Sequence, residues 1–177
     1  MGTSKRQSKK YKPPLRIWDK TRIERDKVLR QKYGFKNKKE LWKVESLLRK
    51  ARKRARDLVG LKALNLGQQE EKEFIRKLHS MGLVKEDASV DDVLDLKLED
   101  FMDRRLQTMV LKKTMARTIR EARQVITHRH VEVDGKVIDT PSYIVKRDED
   151  DKINFIQKSP LSSPNHPMKG GLKGSAE

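Results

Sequence analysis

The sequence predicts a helix-rich α+β protein, with a basic extended N-terminal arm, a helical region and a small module of two helices and a short antiparallel β-sheet. Three observations predict it. Apolar residues recur at helical spacing in separate stretches between residues 41 and 126. Thr21-x-x-Glu24, Asn37-x-x-Glu40 and Thr118-x-x-Glu121 have the spacing of a capping box and mark helix starts. Val131-Glu132-Val133 and Lys136-Val137-Ile138 flank Asp134-Gly135, a two-residue hairpin signal.

Taken in order, residues 1–20 carry Lys5, Arg6, Lys9, Lys10, Lys12, Pro13 and Pro14 and bury no core. They are expected to be disordered alone and to order against a polyanion. A helix follows over about 22–32, with Gly34 at its C′ position. A longer helix runs from Asn37 to near Gly60, with a stripe of Leu41, Val44, Leu47, Leu48, Ala51, Ala55, Leu58 and Val59. Its other side carries Arg49, Lys50, Arg52, Lys53, Arg54 and Arg56. Acids are too few there for i,i+4 pairing to account for the charge.

Residues 61–100 read as packing. Phe74, Ile75, Leu78 and Met81 form a helical stripe closed by Gly82, and Ser89 caps a short helix with Val90, Val93, Leu94 and Leu96. Leu98, Phe101, Met102, Leu106, Met109 and Val110 predict one continuous helix carrying Arg104 and Arg105. The helical region is expected to span 21–102 and to pack also with 155–160. The helix opened by Thr118 has Ile119, Ala122 and Ile126 on one face. Arg117, Arg120, Gln124, Thr127 and His128 lie on another, with Arg123 at its edge. After the hairpin comes a last strand, Ile153-Asn154-Phe155, and residues 158–177 read as a flexible polar tail.

Charge indicates the partner. The chain has 43 Lys+Arg against 26 Asp+Glu, a net charge of +17 and a pI near 10.1. Residues 1–60 carry net +16, 61–100 net −4 and 101–147 net +6. Two basic regions flank a mildly acidic one, the electrostatic footprint of a nucleic-acid binder. No apolar run approaches the ~18 residues needed to span a bilayer, and the N-terminus has no apolar core of a secretory signal. Cysteine is absent, which excludes disulfides, thiolate zinc sites and a catalytic thiol. The expectation is a cytoplasmic protein without membrane, metal or cofactor.

The residues from Asp103-Arg104-Arg105-Leu106-Gln107 through Thr118-Ile119-Arg120-Glu121-Ala122-Arg123-Gln124 to the hairpin and Pro141-Ser142-Tyr143-Ile144-Val145 support a family name. Residues 103–157 resemble the RNA-binding module first described in ribosomal small-subunit protein four. Tyr11-Lys12-Pro13-Pro14, Trp18, and the block Tyr33-Gly34-Phe35-Lys36-Asn37-Lys38-Lys39-Glu40-Leu41-Trp42 extend the likeness. Over about residues 5–160 the chain resembles the archaeal and eukaryotic form of that protein family. Some bacterial members carry a cysteine zinc knuckle; without cysteine, none is carried over.

The resemblance implies a structural ribosomal protein and not an enzyme. It implies direct binding of small-subunit ribosomal RNA, early action in assembly of the subunit body and a link to translational accuracy. Ribosomal protein five is the implied neighbour, messenger RNA near its entry path a further implied partner, and no homo-oligomer is expected. The alternative is a stand-alone RNA-binding stress or regulatory factor using the same module. Pseudouridine synthases and tyrosyl-tRNA synthetases also carry it, but with a catalytic domain for which this chain has no motif.

RNA duplexes hide their base edges in a deep, narrow major groove, so phosphates and 2′-hydroxyls are the expected targets. From the module, Arg117, Arg120, Arg123 and Arg129 are the expected phosphate contacts, with Arg104 and Arg105 beside them. Gln124, Thr127 and His128 are the neutral hydrogen-bonding candidates. Arg49, Lys50, Arg52, Lys53, Arg54 and Arg56 are expected to grip a second RNA segment, with Lys9 and Lys10 on the arm. His128-Arg129-His130 lacks a third ligand and is a weak metal signal. Asp148-Glu149-Asp150-Asp151 lacks EF-hand spacing and reads as an acidic turn. Trp18 is divided between base stacking and core, and Trp42 is expected in the core.

Overall fold

A computed structural model describes residues 9–64 and 66–162. Seven helices lie among them: α1 (Lys20–Tyr33), α2 (Lys38–Ala63), α3 (Gln68–Ser80), α4 (Val90–Asp95), α5 (Leu98–Asp103), α6 (Leu106–Lys112) and α7 (Ile119–Thr127). Strands β1 (Val131–Val133), β2 (Lys136–Val137) and β3 (Ile153–Phe155) form an antiparallel sheet in the order β2-β1-β3. Short 3₁₀ helices occupy Arg147–Lys152 and Pro160–Ser162. The α+β reading, the hairpin and the last strand stand as expected. The flexible tail expected from residue 158 is not flexible at its start, where Pro160–Ser162 form a short 3₁₀ helix and Ser159 and Leu161 are buried; the tail beyond residue 162 and the first eight residues of the arm lie outside the described residues.

Helix starts differ from the sequence expectation at one point. Asp19, not Thr21, caps α1: its carboxylate accepts from the Arg22 N–H at 3.4 Å and from the Thr21 hydroxyl at 2.7 Å. Asp outcompetes Thr here because an ionised carboxylate is the stronger acceptor at a helix N-terminus. Asn37 occupies the N-cap position of α2, but its side chain accepts no capping hydrogen bond, and Glu40 does not fold back, because its carboxylate is taken by Arg105 and Arg123. Ser89 and Asp92 form a full capping box on α4, and Thr118 caps α7 through the Glu121 N–H at 3.2 Å.

Two hydrophobic cores organise the described residues. α2 runs through the first, burying Leu41, Val44, Leu48, Ala51, Ala55 and Leu58 against Leu29, Tyr33, Val90, Val93 and Phe101. Leu47 and Val59, assigned to this stripe, lie at its flanks and stay about 40% exposed. Small Ala51 and Ala55 let α4 approach closely, and Arg52 Nη2 reaches across to the Leu96 carbonyl at 2.7 Å. The second core joins α6, α7 and the sheet through Leu106, Val110, Ala122, Val125, Ile126, Val131, Val133, Val145 and Ile153. The segment 155–160, expected against the helical region, belongs to this second core. Phe155 and Leu161 pack into it, and Ser159 Oγ meets His130 Nδ1 at 2.9 Å.

The continuous helix expected over 98–110 is broken at Arg104-Arg105. There the backbone turns extended at Arg105 and pairs with the 143–145 segment. The Val145 N–H donates to Arg104 O at 2.9 Å, and the Leu106 N–H donates to Tyr143 O at 2.7 Å. The apolar spacing continues through the break, so periodicity alone could not reveal it. The hairpin turn places Asp134 at φ 52° and Gly135 at φ 73°, the two positive angles of a type I′ turn.

Candidate nucleic-acid interface

The first basic surface is a groove between the arm, α1, α2 and the start of α5. Lys12, Arg16, Arg22, Arg25, Arg49, Arg52, Arg56 and Lys97 line it, against the acids Asp19 and Glu45. The arm is held along it by the Lys12 N–H, which donates to Ser46 Oγ at 3.0 Å, and by Tyr11 packed on Trp42 with ring centroids 6.0 Å apart. Burial raises the Glu45 carboxyl above its ordinary value, and the nearby Asp26 charge raises it further, against the pull of Arg25, Arg49 and Arg22. Arg25 Nη2 meets that carboxylate at 2.8 Å.

The six predicted cations of α2 therefore divide. Arg49 and Arg56 face the groove, whereas Arg52 lines it but spends a donor on Leu96 O. Lys50 and Lys53 are exposed, and Arg54 is paired with Glu70 of α3. Lys9 and Lys10 are exposed at the start of the described arm. Arg16, Arg22, Arg25 and Lys97 complete the groove, and none of them was singled out from sequence. The Arg22–Arg25 spacing, one helical turn, was the available signal.

The second surface is the outer face of α7. Arg117, Arg120, Gln124, His128 and Arg129 are exposed there, as expected. Arg120 faces a cleft whose other walls are Lys27, Arg30, Gln31 and Lys36 from α1 and the loop after it. Those α1 cations also went unassigned from sequence. Arg129 adopts φ 62° and its Nη2 lies 3.3 Å from Asp139 in an exposed pair. Thr127 turns its hydroxyl back to the Arg123 and Gln124 carbonyls at 3.0 Å, so its donor is used inside the helix. Trp18 stands in the open and Trp42 is half-buried beneath Tyr11.

Arg123 is expected in that row as a phosphate contact and Arg104 and Arg105 beside it, but the structure turns all three inward. Arg104 binds Asp150 through two nitrogens, at 2.7 and 2.8 Å, and also donates to Val145 O. The acidic turn at 148–151 thus serves the module's own interior. Arg105 is 2% exposed, lies 4.3 Å over the Phe35 ring, and donates to Glu40 at 3.3 Å. Arg123 reaches the same carboxylate with both Nη atoms, at 3.1 and 2.8 Å. Burial works to raise the Glu40 carboxyl, but the hydrogen bonds and charges of Arg123 and Arg105 outweigh it and hold the group below its ordinary value. Gln107 joins the same seam, donating to Ile119 O at 2.8 Å and Gly34 O at 3.4 Å.

This clamp sits where two known domains meet. Residues 2–103 match the ribosomal protein S4/S9 N-terminal domain, and residues 104–151 match the S4 domain. The small ribosomal subunit protein uS4 of Nanoarchaeum equitans is 47% identical over 165 residues, which cover 93% of this chain and 92% of that protein. The uS4 protein of Methanothermobacter thermautotrophicus is 45% identical, covering 91% and 94% of the two chains. That of Picrophilus torridus is 40% identical, covering 100% and 98%. With both domain matches in order and identity running across nearly the whole length, the chain belongs to the ribosomal protein S4 family.

Proposed function

We propose that the protein is a structural constituent of the small ribosomal subunit that binds small-subunit ribosomal RNA directly and helps nucleate folding of the subunit body. The observation that carries this reading is the near-full-length match to relatives named small ribosomal subunit protein uS4. The two basic surfaces supply a physical means. The groove offers Arg16, Arg49 and Arg56 to one RNA segment, and the α7 face offers Arg117, Arg120 and Arg129 to another. The clamp at Glu40 holds the two at a fixed angle, as a multi-helix RNA junction requires. The protein works by binding and not by catalysis, in the cytoplasm, beside ribosomal protein five and near the messenger entry path. A role in translational accuracy follows from that position. The full-length match favours this over a stand-alone RNA-binding factor, for which the arm and groove would be superfluous.

The test is a titration with small-subunit ribosomal RNA and with tRNA, from low salt to about 0.3 M. Tight binding to the ribosomal RNA alone is expected, with log K falling against log[salt] at a slope of roughly −6 to −7 if eight phosphates are neutralised. Equal binding to both RNAs, lost together as salt rises, would sink the placement. Co-sedimentation with 30S-type subunits, rather than with free RNA alone, separates the ribosomal role from the stand-alone one.

A further inference from the structure

Three large apolar side chains of the arm are exposed: Leu15 is 103% exposed, Ile17 64% and Trp18 87%. Large apolar groups left in water at one place mark a binding surface. Their setting says what binds. Leu15, Arg16 and Asp19 line the basic groove, whose walls include Arg22, Arg49 and Arg56, and Trp18 stands between them in sequence without itself lining it. The turn that carries the indole is held in place. Arg22 Nη2 donates to Ile17 O at 3.1 Å, and Asp19 takes the Thr21 hydroxyl at 2.7 Å. Trp18 contributes little to the fold, whereas Tyr33 is buried and Trp42 is covered by Tyr11. An occupant of this place must be flat where it meets the indole and anionic where it meets the arginines.

We propose that Trp18 is a stacking platform for an unpaired RNA base flipped out beside the groove, with the adjoining phosphates lying along Arg16, Arg49 and Arg56. Every base has a π-face, so stacking tolerates sequence while rejecting a continuous duplex, whose bases are already stacked. The proposal rests on the RNA-binding reading above and narrows it. The groove takes a strand with at least one unstacked nucleotide, whereas the α7 face is suited to phosphates of a duplex.

The experiment titrates the full chain and its W18F, W18L and W18A variants with small-subunit ribosomal RNA. A short single-stranded oligoribonucleotide and the same sequence as a duplex serve as further probes, with tryptophan emission recorded throughout. The chain has two tryptophans, so the difference between the native chain and W18F isolates the Trp18 signal. W18A and W18L should weaken single-strand and ribosomal RNA binding by about 5- to 100-fold, W18F less, and duplex binding should not change. Quenching that W18F lacks should accompany binding. If W18A binds ribosomal RNA like the native chain, without Trp18 quenching, the stacking role falls, the RNA reading stands, and the patch belongs to a protein neighbour. Native affinity in W18L also overturns it, since apolar bulk would then suffice. Failure of the native chain to bind ribosomal RNA overturns both readings. Because Trp18 is exposed, unchanged circular dichroism is expected for all three variants.

Discussion

The groove and the α7 face are both rich in arginine, yet they use it differently. In the groove most guanidinium groups stand at the surface, presented by the arm, α1 and α2, and the apolar stripe of α2 is complete without them. In the module three of the arginines predicted to face outward are structural. Arg104 fastens the acidic turn, and Arg105 and Arg123 together hold Glu40. An arginine is retained inside a protein when a carboxylate and carbonyls answer its fork of donors. The difference therefore lies not in the arginines but in where they meet a carboxylate: Glu40 and Asp150 hold Arg105, Arg123 and Arg104 inward, whereas Arg25 and Arg54 meet Glu45 and Glu70 while staying about half exposed.

The comparison is broken most severely by removing the acid. Glu40→Ala leaves Arg105 buried without its counter-charge and should cost about 3 kcal/mol, read as a fall in the urea midpoint at unchanged slope. Glu40→Ala should also weaken binding to an RNA that engages both surfaces at once, more than to a short duplex. A stability change below ~0.5 kcal/mol would show that the clamp is ornamental.

Gly34→Ala probes the same seam by shape. Gly34 has φ +62°, and a Cβ there would stand 2.7 Å from Gln107 Nε2 and 2.9 Å from Ile119 Cγ1. Left-handed strain of about 1–2 kcal/mol adds to the clash, so a loss near 2 kcal/mol by thermal unfolding is expected. Native stability in Gly34→Ala would mean that α1 and α7 are not packed as described.

On the groove side, the triple replacement Arg16, Arg49 and Arg56→Gln should leave the unfolding midpoint within ~0.5 kcal/mol of native. It should flatten the log K–log[salt] slope by roughly 2 to 3. Arg120→Gln should flatten it by about 1. Arg123→Gln, if it destabilises more than it changes that slope, separates an internal arginine from an external one a single helical turn away.

Acid sharpens the contrast more gently. The folded-state value of Glu40 lies below its ordinary one, so the clamp's contribution is complete above the unfolded glutamate value of about 4.3 and fades as pH falls through the folded value. The stability gap between the native chain and Glu40→Gln should therefore narrow as thermal unfolding is repeated from pH 6 down toward pH 3. A gap independent of pH would assign the clamp to neutral hydrogen bonds.

Much of this was legible in the sequence because local signals sufficed. Ser89, Thr118 and Asp134-Gly135 each act within four residues of themselves, and each begins or turns the element it predicts. Ile153-Asn154-Phe155 forms the expected strand through its pairing with β1, read from its apolar alternation. What was not legible depends on residues far apart in the chain. Nothing around Arg105 announces that Glu40, 65 positions earlier, will meet it, nor that Tyr143 and Val145 will pair with the backbone on either side and interrupt the helix. The groove was half visible: the α2 cations were clear, but Arg16 and Lys97 join them only once the arm and α5 are folded against α2.

The seam at Glu40 has a consequence for modular inheritance. An RNA-binding cassette that begins at Arg104 carries Arg105 and Arg123 with it but leaves Glu40 behind. On its own, or joined to a different neighbour, the cassette would present two additional positive charges on the flank of α7. In this chain a single carboxylate from the preceding domain masks them. One domain thus trims the electrostatic outline of the next, and a module can change how much of its charge RNA can see without changing any residue of its own.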